Sequence, residues 1–131
     1  MPLVARVLLV EDDPAILSAF EEWLTQEGYD VIPCRRFEDA KLELNRVIPD
    51  ALIADVRLGQ FNGLHLAWEL RELRPTSPIL VMTAYDDSVI RHEAERCGAV
   101  YWVKTSSRED FFEAFHAATA RRGTTENDHP R

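Results

Sequence analysis

Four short apolar runs each end on, or run into, a residue able to do chemistry. Glu11, Asp12 and Asp13 follow the run Val7 to Val10. Asp55 lies at the end of Ala51 to Val56, Thr83 in Pro78 to Ala84, and Lys104 directly after Ala99 to Val103. Gathered in one place, these would be three or four carboxylates, a hydroxyl and an ammonium. Carboxylates packed together repel unless a cation holds them. Oxygen ligands without thiolate or imidazole suit Mg2+ or Mn2+, and Mg2+ takes one or two carboxylates plus waters and phosphate oxygens. Lys104 is the natural partner for an incoming anion, and Thr83 can donate a hydrogen bond to it. A carboxylate nucleophile, Asp55, among such groups makes a phosphoryl-transfer site.

Each residue also has a plainer reading. Asp13 suits a helix cap and Asp55 a turn before Gly59. Thr83 suits a strand end and Lys104 a solvated surface. Their joint placement favours the chemical reading.

That placement depends on the elements. The four runs are continuous rather than alternating, which suits strands buried on both faces of a parallel sheet. A weaker run, Tyr29 to Ile32, reads as an edge strand. Between the runs lie helical patterns. Asp13-Pro14 reads as an N-cap followed by proline at the first helical position. Ile16, Leu17, Phe20 and Leu24 then recur at helical spacing before Gly28. Ala40, Leu44 and Val47 share a face of a second helix. Leu64, Ala67, Trp68 and Leu70 share a face of a third, which ends before Pro75. A fourth helix is expected over Asp86 to Cys97, closed by Gly98. The Ser106 to Glu109 stretch reads as a capping box that opens a fifth, with Phe111, Phe112, Phe115 and Ala118 inward. Five β-α units with right-handed crossovers give an α/β, doubly wound (βα)5 fold with a five-stranded parallel sheet. Ligand sites in such sheets lie beyond the carboxyl ends of the strands, where the candidate residues fall.

The chain has 131 residues and a formal net charge of −8. The length suggests one domain, over residues 1–122, with a polar tail or start of a linker over 123–131. The negative balance argues against direct nucleic-acid binding, which needs clustered Lys and Arg. No run approaches a membrane span, so a cytoplasmic protein is expected. Cys34 and Cys97 show no metal-ligand or CxxC spacing and read as buried thiols. His65, His92, His116 and His129 read as solvated.

The segments VLLVEDDPAIL, ALIADVRLGQFNGL, PILVMTA and CGAVYWVKT resemble the receiver domains of bacterial two-component response regulators. The likeness runs from about Ala5 to Ala120 and rests on separated positions matching in order. It implies a flavodoxin-like sheet in the order 2-1-3-4-5. It implies Asp55 as phosphoacceptor, Asp12 and Asp13 as the acidic pair for Mg2+, and a metal contact from the Arg57 backbone carbonyl. Thr83 and Lys104 would touch the phosphoryl oxygens, and Thr83 with Tyr101 would form the switch. Gly63 matches a glycine after the phosphoacceptor loop. The donor would be a sensor histidine kinase or phosphotransfer protein. The output would pass through the fourth helix, fifth strand and fifth helix to a downstream domain or protein, or to a second copy in a homodimer. Such a protein catalyses only its own phosphorylation and dephosphorylation.

The chain departs from the family at two places. Thr105 stands where proline usually follows the lysine, often after a cis bond. A cis Lys104–Thr105 bond would cost about 3 kcal/mol, so a trans bond and a different loop path are expected. Gly59 replaces another common proline, which suggests a more mobile loop, with Phe61 tucked onto the domain. Tyr85 is a candidate for tuning water access. Alternatives are a receiver that no longer accepts phosphate, a Mg2+-dependent phosphatase and a flavodoxin-type electron carrier. The phosphatase reading lacks an acid at Arg57. The flavodoxin reading lacks a phosphate loop after the first strand.

Overall fold

The computed structural model describes residues 6–121. Five parallel strands, labelled in chain order, form the sheet: β1 (Arg6–Val10), β2 (Asp30–Cys34), β3 (Ala51–Asp55), β4 (Ile79–Thr83) and β5 (Val100–Val103). Their spatial order is β2-β1-β3-β4-β5, as expected. Every residue of β3 and β4 is buried, which explains their unbroken apolar sequences. Pro33 sits in β2, at the edge of the sheet, where a missing N–H is tolerated.

The helices are α1 (Pro14–Gln26), α2 (Phe37–Arg46), α3 (Leu64–Leu73), α4 (Ser88–Arg96) and α5 (Arg108–Arg121). They cover the sheet from both sides. Residues 7, 9, 51, 53, 80 and 82 of the strands pack with Phe20, Leu24, Phe111 and Phe115 of α1 and α5. Residues 8, 10, 52, 54, 79 and 81 pack with Ala40, Leu44, Leu66, Leu70 and Ala94 of α2, α3 and α4. Strand side chains alternate between the two sides, so each core takes every second residue. The ring of Phe111 stacks on that of Phe20 with centroids 4.5 Å apart, tying α5 to α1.

Several boundaries differ from expectation. The fourth helix begins at Ser88, not Asp86, because Asp87 caps it by accepting the Val89 and Ile90 N–H groups. The cap of α5 is Ser107 rather than Ser106; its Oγ accepts the Asp110 N–H at 3.1 Å. Trp68 is not on the inner face of α3. Leu64, Ala67 and Leu70 fill that face, and Trp68 lies beside it, 37% exposed. Among the described residues no peptide bond is cis, so Lys104–Thr105 is trans as expected. His65, His92 and His116 are exposed, and both cysteines are free and buried. Burial pushes the Cys34 thiol up to about 11. His129 and the expected tail lie outside the described residues.

Candidate functional site

The rim at the carboxyl ends of β1, β3, β4 and β5 brings most of the candidates together. Counting by twos along the strands shows how. The positions Val7, Leu9 and Glu11 share a side, as do Ala51, Ile53 and Asp55, and Val100, Trp102 and Lys104. All three series lead toward the α1/α5 side of the sheet. Lys104 Nζ there donates to Glu11 Oε1 at 2.9 Å and to Asp55 Oδ2 at 3.2 Å. Glu11 is 1% exposed and Asp55 is 6% exposed, so these are charges in a largely water-free setting. Oxygens of Glu11, Asp12 and Asp55 lie within 4.8 Å of one another.

Asp13, expected from the resemblance at the metal site, is placed as a helix cap. Its Oδ1 accepts the N–H groups of Ala15 and Ile16, at 2.9 and 3.2 Å, as the N-cap of α1. Its own N–H donates to Glu11 Oε2 at 3.1 Å. The acid that faces Asp55 and Lys104 is Glu11, and the acidic group is Glu11 with Asp12 and Asp55. The reason is the strand period. Position 11 continues the buried series, whereas position 13 has already left the strand. That alternation was the signal available in the sequence.

The electrostatics follow from burial. Desolvation raises the carboxyl pKa of Asp55, against the lowering effect of Lys104. Desolvation likewise raises that of Glu11, although Lys104 and the Asp13 N–H pull it down. Burial works against the Lys104 charge, but Glu11 and Asp55 together hold its pKa above the ordinary value. One ammonium therefore serves two buried carboxylates, with Asp12 beside them. The cluster thus carries surplus negative charge, which a cation would offset.

The backbone around Asp55 is held by the following loop. Arg57 N–H approaches Asp55 Oδ1 at 3.5 Å. Gly63 donates its N–H to Val56 O at 2.7 Å, and a Cβ at Gly63 would collide with the Asp55 carbonyl oxygen. Glycine is needed there for close approach, not for its φ. Between them, Arg57 pairs with Asn62 and Leu58 with Phe61 as a two-residue antiparallel hairpin. Gly59 turns that hairpin at φ +66°. Strand pairing thus laces the loop, and Phe61 stacks on Phe37 with centroids 4.7 Å apart while remaining 43% exposed, so it both rests on the domain and faces solvent.

Thr83 and Tyr101 lie on the other parity. Thr83 is buried, and its Oγ1 donates to Tyr85 O at 2.9 Å. Tyr101 faces the start of α4. Its hydroxyl accepts the Asp87 N–H at 2.8 Å and donates to Asp86 Oδ1 at 3.0 Å. Arg91 pairs with Asp86 at 2.6 Å and lies over the Tyr101 ring at 4.6 Å. Asp86 is exposed, and its pKa is lowered by the Tyr101 hydroxyl and then by Arg91.

The comparisons with known proteins agree with this architecture. The response regulator receiver domain family matches residues 7–116. The chain belongs to that family. It is 35% identical over 81 residues to the transcriptional regulatory protein GlrR of Escherichia coli, covering 62% of this chain and 18% of GlrR. It is 36% identical over 103 residues to the alginate biosynthesis transcriptional regulatory protein AlgB of Pseudomonas aeruginosa, covering 78% of this chain and 23% of AlgB. The chain thus spans less than a quarter of either relative. The response regulator TrrA of Thermotoga maritima, solved in complex with Mg2+-BeF, superposes with a TM-score of 0.76 at 25% identity, covering 87% of this chain and 98% of that one.

Proposed function

We propose that the chain is a phosphoacceptor switch in which Asp55 takes a phosphoryl group from a phosphohistidine of a sensor histidine kinase or phosphotransfer protein, or from a small acyl phosphate. The observation that carries this reading is Lys104 Nζ bridging Asp55 and Glu11 beside a third carboxylate.

Glu11, Asp12 and Asp55, with the Arg57 backbone carbonyl, would hold Mg2+ or Mn2+. An all-oxygen donor set with surplus negative charge fits such an ion. When bound, the ion offsets charge on the acceptor and phosphoryl oxygens. Asp13 is left to cap α1. An Asp55 oxygen attacks phosphorus in line, and a P–O bond forms. The P–N bond to the donor imidazole breaks, and its electron pair leaves with the nitrogen, which solvent protonates. Lys104 stays charged throughout and neutralises phosphoryl oxygens as they arrive. Water later attacks the same phosphorus and returns the Asp55 carboxylate, so the domain catalyses its own phosphorylation and dephosphorylation.

The output follows from a change of partners. A phosphoryl oxygen gives the Thr83 hydroxyl a stronger acceptor than the Tyr85 carbonyl. Releasing that carbonyl frees the loop that carries Asp86 and Asp87, and with it Tyr101. The α4-β5-α5 face then changes its population of shapes. Its reader would be an output domain outside this segment, a separate protein or a second copy. GlrR and AlgB are transcriptional regulators, which supports an output domain that touches DNA. This segment, at −8, would not do so itself. Among the described residues no helix is long and apolar enough to cross a membrane. The cytoplasm is the proposed location.

Intact-mass measurement after incubation with acetyl phosphate and Mg2+ tests the reading. The wild type should gain one phosphoryl group, and neither Asp55→Asn nor a Mg2+-free control should. No gain in the wild type would move the chain to the class of receivers that only bind partners.

A further inference from the structure

Lys104 has a long, flexible stem, and its usefulness depends on where its Cα is held. Upstream, the Lys104 N–H donates to Thr83 O at 2.8 Å, which fixes it to the end of β4. Downstream, the loop Thr105-Ser106-Ser107 contains neither proline nor an apolar anchor. What ties it is a set of polar contacts. Thr105 Oγ1 donates to Asp110 Oδ2 at 2.8 Å and accepts the Ser107 N–H at 3.2 Å. Ser107 Oγ accepts the Asp110 N–H, and the Ser107 carbonyl accepts that of Phe111 at 3.1 Å. Phe111 is fully buried against Phe20. An unbroken path therefore runs from the core, through the first turn of α5, to the residue after Lys104. Lys104, Thr105 and Ser106 themselves line one side of a cavity of about 460 Å³, with Ala15, Ile16 and Ala84 also in its lining, so an untied loop has space into which to shift.

We infer that Thr105 and Asp110 are positioning residues that aim Lys104 at the phosphoryl site, doing with a side-chain clasp what a ring-locked residue would do with its backbone. The inference rests on the reading of Asp55 and Lys104 as the transfer site. The clasp is solvent-facing, so its contribution to overall stability is small and its variants should fold.

The test is the rate of phosphorylation by acetyl phosphate at saturating Mg2+, with Mg2+ affinity and melting temperature measured in parallel. Thr105→Val and Asp110→Ala should slow the reaction roughly tenfold, within the ~100-fold that a 1 Å misplacement can cost. Thr105→Ser, which keeps the hydroxyl, should restore the rate. Mg2+ affinity should not change, because Lys104 is not a ligand. A wild-type rate in Thr105→Val, or a rate loss matched by an equal loss of Mg2+ affinity, would overturn the inference. If the wild type accepts no phosphate, the transfer reading fails by itself. The positioning claim then stands or falls on a double-mutant cycle of Thr105→Val with Lys104→Met in thermal unfolding. Coupling between the two is expected, and strict additivity would overturn it.

Discussion

Two clusters at the same rim are built in opposite ways. Glu11 and Asp55 are buried and Lys104 is half-buried; all three continue the alternation of core strands and are joined by short ion pairs with little access to water. Asp86, Arg91 and Tyr101 hold one another just as closely, but their ion pair faces solvent. In low dielectric a charge pair is strong and its loss is severe, whereas an exposed pair is worth 0–1 kcal/mol as a rough median. The buried cluster is therefore suited to hold geometry for chemistry. The exposed one is suited to let go. A switch needs both, and the two parities of the strands keep them apart: the first belongs to the α1/α5 side, the second to the α4 side.

The contrast can be broken most forcefully at Lys104. Lys104→Met leaves Glu11 and Asp55 buried without their cation, and should cost about 3 kcal/mol in urea unfolding at neutral pH. A loss under about 1 kcal/mol would place this pair in the same class as the surface ones. Gly63→Ala comes next. Its methyl group meets the Asp55 carbonyl, so the acceptor backbone must move, and a stability loss of about 2 kcal/mol should accompany slower phosphorylation.

The acids sharpen the picture further. Glu11→Gln should weaken Mg2+ binding roughly tenfold, at the low end of the cost of altering the groups around a metal site. Asp13→Asn should leave the affinity near that of the wild type, because asparagine caps a helix as well as aspartate. Equal losses in the two would return Asp13 to the metal site. The pH dependence has a definite sign. The folded-state pKa values of Glu11 and Asp55 are raised, so the folded chain binds protons more tightly than the unfolded chain. Their contribution to stability is fully present below the ordinary carboxylate range of about 4. It is lost as pH rises through the raised values. The melting temperature of the Mg2+-free wild type, relative to Asp55→Asn, should therefore fall as pH rises through that window. A relative rise would mean that Lys104 wins over desolvation. The smallest effect belongs to the exposed cluster, where Arg91→Ala should change stability by no more than about 0.5 kcal/mol.

The parts of this molecule that were legible from its sequence are those where one residue's neighbours along the chain settle its fate. The continuous runs of β3 and β4 announced a sheet buried on both faces, and the Asp13-Pro14 pair announced the start of α1. The acids, Thr83 and Lys104 at strand ends announced the rim. Glu11 and Asp13 were harder, because a run of three acids offers two adjacent pairs, and only the strand period decides between them. The hairpin at Gly59 was hard to see for a related reason. Glycine suggests freedom, but at φ +66° it served a hairpin whose pairing partners, Arg57 with Asn62 and Leu58 with Phe61, cannot be seen in local composition. The Tyr101–Asp86 contact joins a strand to the loop before α4, so no local pattern could announce it.

The most direct test of the central claim is to locate the phosphoryl group. Treating the phosphorylated chain with borohydride reduces an aspartyl phosphate to homoserine, with release of phosphate, and peptide mass mapping then reads the position. Homoserine at 55 alone is the predicted result. Homoserine at 12 or 13, or a stable phosphate elsewhere that survives the treatment, would contradict it.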